Sequence, residues 1–289
     1  MSRLPEPVRI GLLLAPALLV VGVFFVGGVA QAVLQSLGHQ PLLGETTWTL
    51  DAYRSVLADP ALGASLLLTL RVSVISTLAA TVLGVGAALL VRRLGGRRGM
   101  TALFQSTLAI PHLVGALSIS LLLAPSGLLS RGAYAVGLVD DAQNFPALTQ
   151  DAFGWGIIAE YTWKESPFIA VVALAAMTRR VSEFEDAART LGASPRRRLR
   201  EVTLPLLAPP VAAASILVLA FSIASYEVPR LLGRPFPALL SVEAFERFRD
   251  PDLTTRPEAM ALATVLAVLT ILAVLAYLRL ASLLARRSL

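Results

Sequence analysis

The chain has 289 residues, of which 56% are hydrophobic and only 15% charged, with a mean hydropathy of +0.72. A water-soluble domain of this length seldom carries so little charge, so the composition points to a bilayer as solvent. The absence of cysteine excludes disulfides, thiolate nucleophiles and zinc–thiolate sites. The net charge of +6 sits in short arginine clusters beside apolar blocks, with no basic face interleaved with aromatics, and this argues against nucleic acid as a partner.

Six apolar blocks follow in chain order, at about residues 10–37, 61–91, 101–124, 155–177, 208–232 and 258–284. Each is long enough to cross about 30 Å of hydrocarbon, and each must be helical because lipid cannot satisfy exposed backbone groups. The first follows Arg3 and Arg9 as a signal peptide would. It far exceeds a signal h-region of roughly 7–15 residues, so it reads as an uncleaved span. Pro16, Pro111 and Pro167 fall inside blocks, where kinks rather than helix ends are expected.

The connecting segments alternate in charge. Arg92, Arg93, Arg97 and Arg98 follow the second block. Arg179, Arg180, Arg189, Arg196, Arg197, Arg198 and Arg200 follow the fourth, and Arg286 and Arg287 follow the sixth. The intervening loops are acidic: Glu45, Asp51 and Asp59; Asp140, Asp141 and Asp151; Glu243, Glu246, Asp250, Asp252 and Glu258. The positive-inside rule then predicts both termini in the cytoplasm and an even number of spans. The outer segment 125–154 has room for a short surface helix. The expected fold is all-α, with residues 1–289 forming a single transmembrane domain of about six helices.

The most informative stretch is the cytoplasmic loop at about residues 179–207. Ser182 can cap a helix whose first turn holds Glu183, Glu185 and Asp186, near the positive end of the dipole. Phe184, Ala187, Ala188 and Leu191 recur at helical spacing and make a shallow apolar face. Gly192 suits a left-handed C′ position, and Ser194–Pro195 suits the start of a second helix striped by Leu199, Val202 and Leu206. A basic hairpin anchored to anionic lipid would account for the arginines. It would not account for Glu-Asp-Ala-Ala followed at fixed spacing by Gly192 and then by Thr203-Leu204-Pro205.

That pattern resembles the "EAA" loop of permeases in binding-protein-dependent ABC importers. Glu185, Ala187, Ala188, Gly192, Leu204 and Pro205 match it, Ala193 follows the glycine, and Asp186 stands where the family usually has Ala. The resemblance runs from about the second block to the C-terminus. It implies the type I importer permease fold, with a loop that docks on a cytoplasmic ABC ATPase dimer. It also implies a second permease subunit, identical or similar, and an extracytoplasmic solute-binding protein. No cofactor is expected in this chain, and ATP and magnesium would belong to the ATPase. The sole lysine, Lys164, lies in a block without the glycines of a phosphate-binding loop, in keeping with that division of labour. Ala188-Arg-Thr-Leu-Gly-Ala-Ser194, the Tyr226–Glu227 pair and Arg256-Pro-Glu-Ala-Met260 resemble polyamine, iron, thiamine and sulfate-type permeases, with a polyamine or related organic cation preferred as cargo.

Ionisable groups within apolar blocks are costly and become functional candidates: here Arg71, Glu160, Lys164, Glu165 and Glu227. All five can share the outer half of the membrane. Either they neutralise one another to hold helices in register, or some of them line the translocation path. Glu160 and Lys164 stand four apart, in the favoured order for an ion pair. His112, after Pro111, reads as a packing residue, and two separated histidines support no metal site. Two other classes were weighed. An ion-coupled secondary transporter would need paired broken helices, and the sequence signals none. An intramembrane enzyme would need a catalytic constellation that is not evident.

Overall fold

The computed structural model describes residues 5–41, 44, 46–95, 98–141 and 144–286. Arg3, Glu45, Arg97 and Arg287 lie outside the described residues, as do the side chains of Arg98 and Arg286. Among the described residues the regular structure is helical, with no extended strand. In chain order the helices are α1 (Glu6–Ser36), α2 (Asp51–Ala58), α3 (Leu62–Arg93), α4 (Arg98–Leu108), α5 (His112–Leu123), α6 (Leu128–Ala135) and α7 (Trp155–Ala176). There follow α8 (Arg179–Thr190), α9 (Pro195–Arg198), α10 (Leu204–Ala224), α11 (Glu227–Leu232), α12 (Leu240–Phe248) and α13 (Arg256–Arg286).

Among the described residues five segments are long and apolar enough to cross a membrane: Val8–Ser36, Leu62–Arg93, His112–Ala135, Pro195–Ala224 and Leu253–Ala281. The fourth apolar block coincides with α7, which has 22 residues but carries Glu160, Lys164 and Glu165. Its length suits a span, and only its charge sets it apart. The segment 125–154 does contain a short helix, α6.

Two blocks are broken where the sequence predicts continuous spans. Block 101–124 divides into α4 and α5, because Pro111 ends a helix instead of kinking one. Its backbone is extended (ψ 144°) and it stands as the N-cap of α5. A proline has no N–H to give and disfavours helical geometry in the residue before it. Pro16 and Pro167, by contrast, lie inside α1 and α7 as expected. Block 208–232 starts earlier, being continuous from Pro195 through one π turn (Leu199–Thr203) into α10, and it stops at Ser225, which is extended (ψ 138°). α11 follows as a separate short helix, with Glu227 as its first residue.

The chain groups into two compact units, Met1–Pro60 with Glu243–Val265, and Ala61–Val242 with Leu266–Leu289. In the first, Arg247 gathers three acids. Its guanidinium reaches Asp59 (2.7 Å), Glu243 (2.7 Å) and Glu258 (3.0 Å), and Ser55 donates to the far oxygen of Glu258 (2.6 Å). Partial burial pushes the Arg247 pKa down, but Glu243, Asp59 and Glu258 outweigh it, so the value is raised and the group stays charged.

The second unit is built on α3, α7 and α10. The buried stripe of α3 is small and polar for most of its length: Ser65, Thr69, Ser73, Ser76, Thr77 and Gly84. Small residues let helices approach closely, which is how helices pack where lipid removes the hydrophobic incentive. At Gly84 an added Cβ would stand 2.6 Å from both the Ile169 Cβ and the Ser166 carbonyl oxygen, so α3 and α7 touch at backbone level. Hydroxyls tie α3 to α10 and to the start of α12. Thr81 and Ser215 share a hydrogen bond (2.7 Å), and Thr69 accepts from the Leu240 N–H (3.1 Å). One apolar core joins Ala88, Ile169, Ala173, Leu207, Val211 and Val218. A second gathers Leu68, Val72, Ala116, Ile157, Tyr161 and Val228.

Candidate functional site

Two constellations emerge in the second unit, one in the loop after α7 and one at the broken helix α4–α5.

The loop begins with α8, which starts at Arg179 with Thr178 as N-cap, four residues before the Ser182 cap expected from the sequence. Ser182 is therefore interior, and its hydroxyl accepts from Arg92 Nη2 (3.3 Å). The rest of the loop forms as the residue types dictate. Gly192 is left-handed (φ 82°) and open to solvent, with nothing near the missing Cβ. The Gly192 N–H donates to Arg189 (3.0 Å) and the Ala193 N–H to Ala188 (2.9 Å). These are the two bonds of a Schellman cap. Ser194 then caps α9, accepting from the Arg197 N–H, with Pro195 at the first helical position.

Glu185 is the structural hinge of the loop. Arg92, at the end of α3, donates to both of its carboxylate oxygens (2.9 and 2.8 Å), and the buried Thr203 hydroxyl of the π turn donates to it as well. One carboxylate thus joins α3, α8 and the entry to α10, and a fork-to-fork guanidinium contact fixes orientation as well as distance. The outward side of α8 is different in kind. Phe184, Ala187 and Leu191 are exposed, Leu191 to 87%, with Ala188 half-buried behind them. Asp186 is exposed and paired with Arg189 (3.1 Å). Leu204 and Pro205 are exposed at the start of α10.

The broken helix carries the second constellation. Ending α4 at Leu108 leaves carbonyls that have no helical partner and no water inside a bilayer. Lys164 of α7, 4% exposed, donates to the Thr107 oxygen (2.9 Å), which also accepts the Ile110 N–H (3.2 Å), and its Nζ lies 3.4 Å from the Leu108 oxygen. Lys164 is therefore not the ion-pair partner of Glu160 that their spacing predicts. Across the break, His112 opens α5 and stands between two carboxylates of α7. Its Nδ1 lies 3.3 Å from Glu160 and its Nε2 3.4 Å from Glu165. Two ionised carboxylates are both served only when each ring nitrogen carries a hydrogen. A cation thus sits at the C-terminal end of α4 and acids at the N-terminal end of α5, each matching its helix dipole.

Small and aromatic residues complete this site. Gly115 of α5 makes room for Glu160, since a Cβ there would lie 2.9 Å from Oε1 and 3.2 Å from the Trp163 ring. Glu160 is fully buried, with its Oε2 unpartnered. Phe221 of α10 packs on the His112 ring (4.6 Å) and meets Tyr161 edge-on (6.1 Å). The second break lies just beyond, where the Ser241 hydroxyl donates to the freed Ser225 carbonyl (2.7 Å).

Of the five charges expected in the outer half of the membrane, the structure unites Glu160, Lys164 and Glu165. Arg71 is engaged elsewhere: its Nη2 donates to the Ala152 carbonyl (2.6 Å) and its guanidinium lies 4.5 Å above the Phe153 ring. It anchors the segment leading into α7, whose first N–H groups (Phe153, Gly154, Trp155) Asp151 accepts at 2.7–2.9 Å. Glu227 is exposed at the start of α11. The residue missed in the sequence is His112, set aside as packing; as an ionisable group beside an intramembrane proline it carried the same signal as the residues retained. The paired breaks were missed too, so broken helices are no argument against an ion-coupled transporter. Among the described residues no cluster of His, Asp and Glu could hold a metal ion.

The class is decided by relatives. Residues 80–288 match the family described as "Binding-protein-dependent transport system inner membrane component". The "Probable ABC transporter permease protein y4fN" of Sinorhizobium fredii is 30% identical over 209 residues, 70% of this chain and 35% of that protein. The "Molybdenum transport system permease protein ModB" of Mycobacterium tuberculosis is 28% identical over 175 residues, 60% of this chain and 62% of that one. The matches to these relatives thus span less than two thirds of their lengths. The "Putrescine transport system permease protein PotI" of Escherichia coli is 26% identical over 222 residues, 76% of this chain and 72% of that protein. In fold, the chain is similar to a chain in the crystal structure of a bacterial ABC transporter involved in the import of the acidic polysaccharide alginate. The TM-score is 0.73 at 20% identity, covering 98% of each chain. This chain belongs to the binding-protein-dependent transport system inner membrane components, multi-pass permease subunits of ABC transporters in the bacterial inner membrane.

Proposed function

We propose that this permease forms half of the translocation path of an ATP-driven importer and receives its power stroke through α8 and α9. The observation that carries this reading is the division of labour within α8. Its inward side is locked to α3 and α10 through Glu185, while its outward side leaves Phe184, Ala187 and Leu191 uncovered. A helix tied rigidly at its back, with an apolar face free, suits insertion into a groove on a partner ATPase. Movement of that partner would then pull on the ends of α3 and α10 together. In this arrangement both termini are cytoplasmic, a second permease subunit completes the path, and a solute-binding protein delivers cargo from outside.

For the cargo we propose an organic cation of the polyamine class. Supporting it, the break between α4 and α5 offers Glu160 and Glu165 with one histidine between them, while the charge of Lys164 is committed to helix carbonyls. A relative named for putrescine points the same way. A second reading, an oxyanion, is favoured by relatives named for molybdenum and molybdate/tungstate. The deciding experiment is uptake by the transporter reconstituted with its ATPase and binding protein. Under the cation reading putrescine competes for uptake and molybdate does not, and Glu165→Gln lowers uptake while ATPase association persists. Competition by molybdate alone would replace the cation with an oxyanion.

A further inference from the structure

A cavity of about 540 Å³ opens beside the loop, lined by Arg92, Arg93, Glu185, Arg198, Leu199 and Thr203 among others. Its charge is lopsided. Arg92 is committed to Glu185, but no described acid pairs with Arg93 or Arg198, and Arg198 Nε is buried without a hydrogen-bond partner. A buried guanidinium N–H without an acceptor is costly and marks a place where an acceptor belongs. The apolar part of the lining is Leu89 and Leu90 on the last turn of α3 and Leu199 on the π turn. Two free guanidiniums at the rim of a hydrocarbon wall, at the end of a membrane helix, match the two ends of a phospholipid.

We infer that this cavity is a binding site for the phosphate of an anionic phospholipid headgroup, held by Arg93 and Arg198 with an acyl chain along Leu89, Leu90 and Leu199. Arginine suits the task because its planar fork binds phosphate through paired hydrogen bonds. The bound lipid would cover the back of the loop. It would make the position of α8 depend on the lipid composition of the leaflet at the Arg93 end of α3. The inference rests on the chain being a membrane permease, and on neither its cargo nor its ATPase.

The test uses the full-length permease in nanodiscs of phosphatidylcholine with a minor fraction of phosphatidylglycerol, extracted and read by native mass spectrometry. The wild type should retain phosphatidylglycerol in preference to phosphatidylcholine. The Arg93→Gln/Arg198→Gln variant should lose on the order of five-fold of that preference per arginine removed. Arg197→Gln, which removes an exposed arginine paired with Glu201 (2.8 Å), should leave the preference unchanged. Equal retention by the double variant overturns the site. So does protection of the lipid-free permease against thermal unfolding by inorganic phosphate in place of lipid, which would make the occupant a soluble anion. Loss of ATPase association with lipid retention intact would assign the cavity to the ATPase, again against the inference. A well-folded Arg93→Lys/Arg198→Lys variant retaining part of the preference would support it.

Discussion

Arg92 and Glu185 are 93 positions apart in sequence, yet they meet guanidinium to carboxylate through two hydrogen bonds of 2.9 and 2.8 Å, joining the end of α3 to α8. Both side chains are less than a third exposed, so solvent weakens the pair without abolishing it. Arg92→Gln or Glu185→Gln should each cost about 1–3 kcal/mol locally and reduce uptake more than membrane abundance. The Arg92→Glu/Glu185→Arg exchange should restore part of the uptake, because attraction survives reversal while the Thr203 bond does not. Measured uptake per inserted molecule checks this, and single variants with normal uptake would show that the pair is ornamental.

The Lys164 prediction follows from the break at Pro111. Lys164→Met removes one donor from the Thr107 and Leu108 carbonyls and leaves Glu160 and Glu165 facing His112 without the nearby ammonium charge. A loss of about 2–5 kcal/mol is expected, seen as reduced membrane accumulation and a lower unfolding temperature in detergent. Lys164→Arg should be tolerated far better. Equal stability of the methionine variant would mean that water reaches the break.

Two glycines of α3 give a matched comparison. Gly84→Ala pushes a methyl group into the Ile169 Cβ and the Ser166 carbonyl at 2.6 Å, and neither can move without parting α3 from α7. Destabilisation of about 2 kcal/mol or more is expected. Gly86→Ala meets nothing within 4 Å and should be neutral or slightly stabilising. Thermal melts of the two purified variants test the pair, and indistinguishable melting would contradict the close approach.

Gly192 resists substitution for another reason. Its φ of 82° is disfavoured for residues with a Cβ, and the surrounding space is empty, so only backbone conformation is at stake. Gly192→Val should cost about 1–2 kcal/mol, misdirecting α9 and weakening ATPase association. Gly192→Asn should keep most of that association, since asparagine tolerates the left-handed region. Copurification with the ATPase reads both; equal loss would point to a steric contact at Gly192 rather than to strain.

Much of this fold was legible from local chemistry alone. Apolar blocks of membrane length located α1, α3, α7 and α13 to within a few residues. The left-handed Gly192 and the Ser194–Pro195 start followed from what those residue types permit. The breaks at Pro111 and Ser225 were not legible, because a proline in a span ends a helix only when a neighbour satisfies the freed carbonyls. Here those neighbours are Lys164 and Ser241, 56 and 16 positions from the carbonyls they serve. The same holds for His112. Its two acids lie 48 and 53 positions away on α7, and no local spacing announces them. Nor could sequence reveal that Glu185 turns inward while Phe184 and Leu191 face out, since Arg92 and Thr203 come from other helices.

The central claim is that α8 faces the cytoplasm and is covered there by an ATPase, and the chain lends itself to a clean measurement because it contains no cysteine. Leu191→Cys places a single thiol at the tip of α8, the most exposed hydrophobic position of the loop. A membrane-impermeant maleimide should leave this cysteine unlabelled in right-side-out spheroplasts and label it in inside-out vesicles, with labelling suppressed when the partner ATPase is coexpressed. Labelling in intact spheroplasts would put α8 outside the cell, out of reach of any ATPase, and would contradict the account.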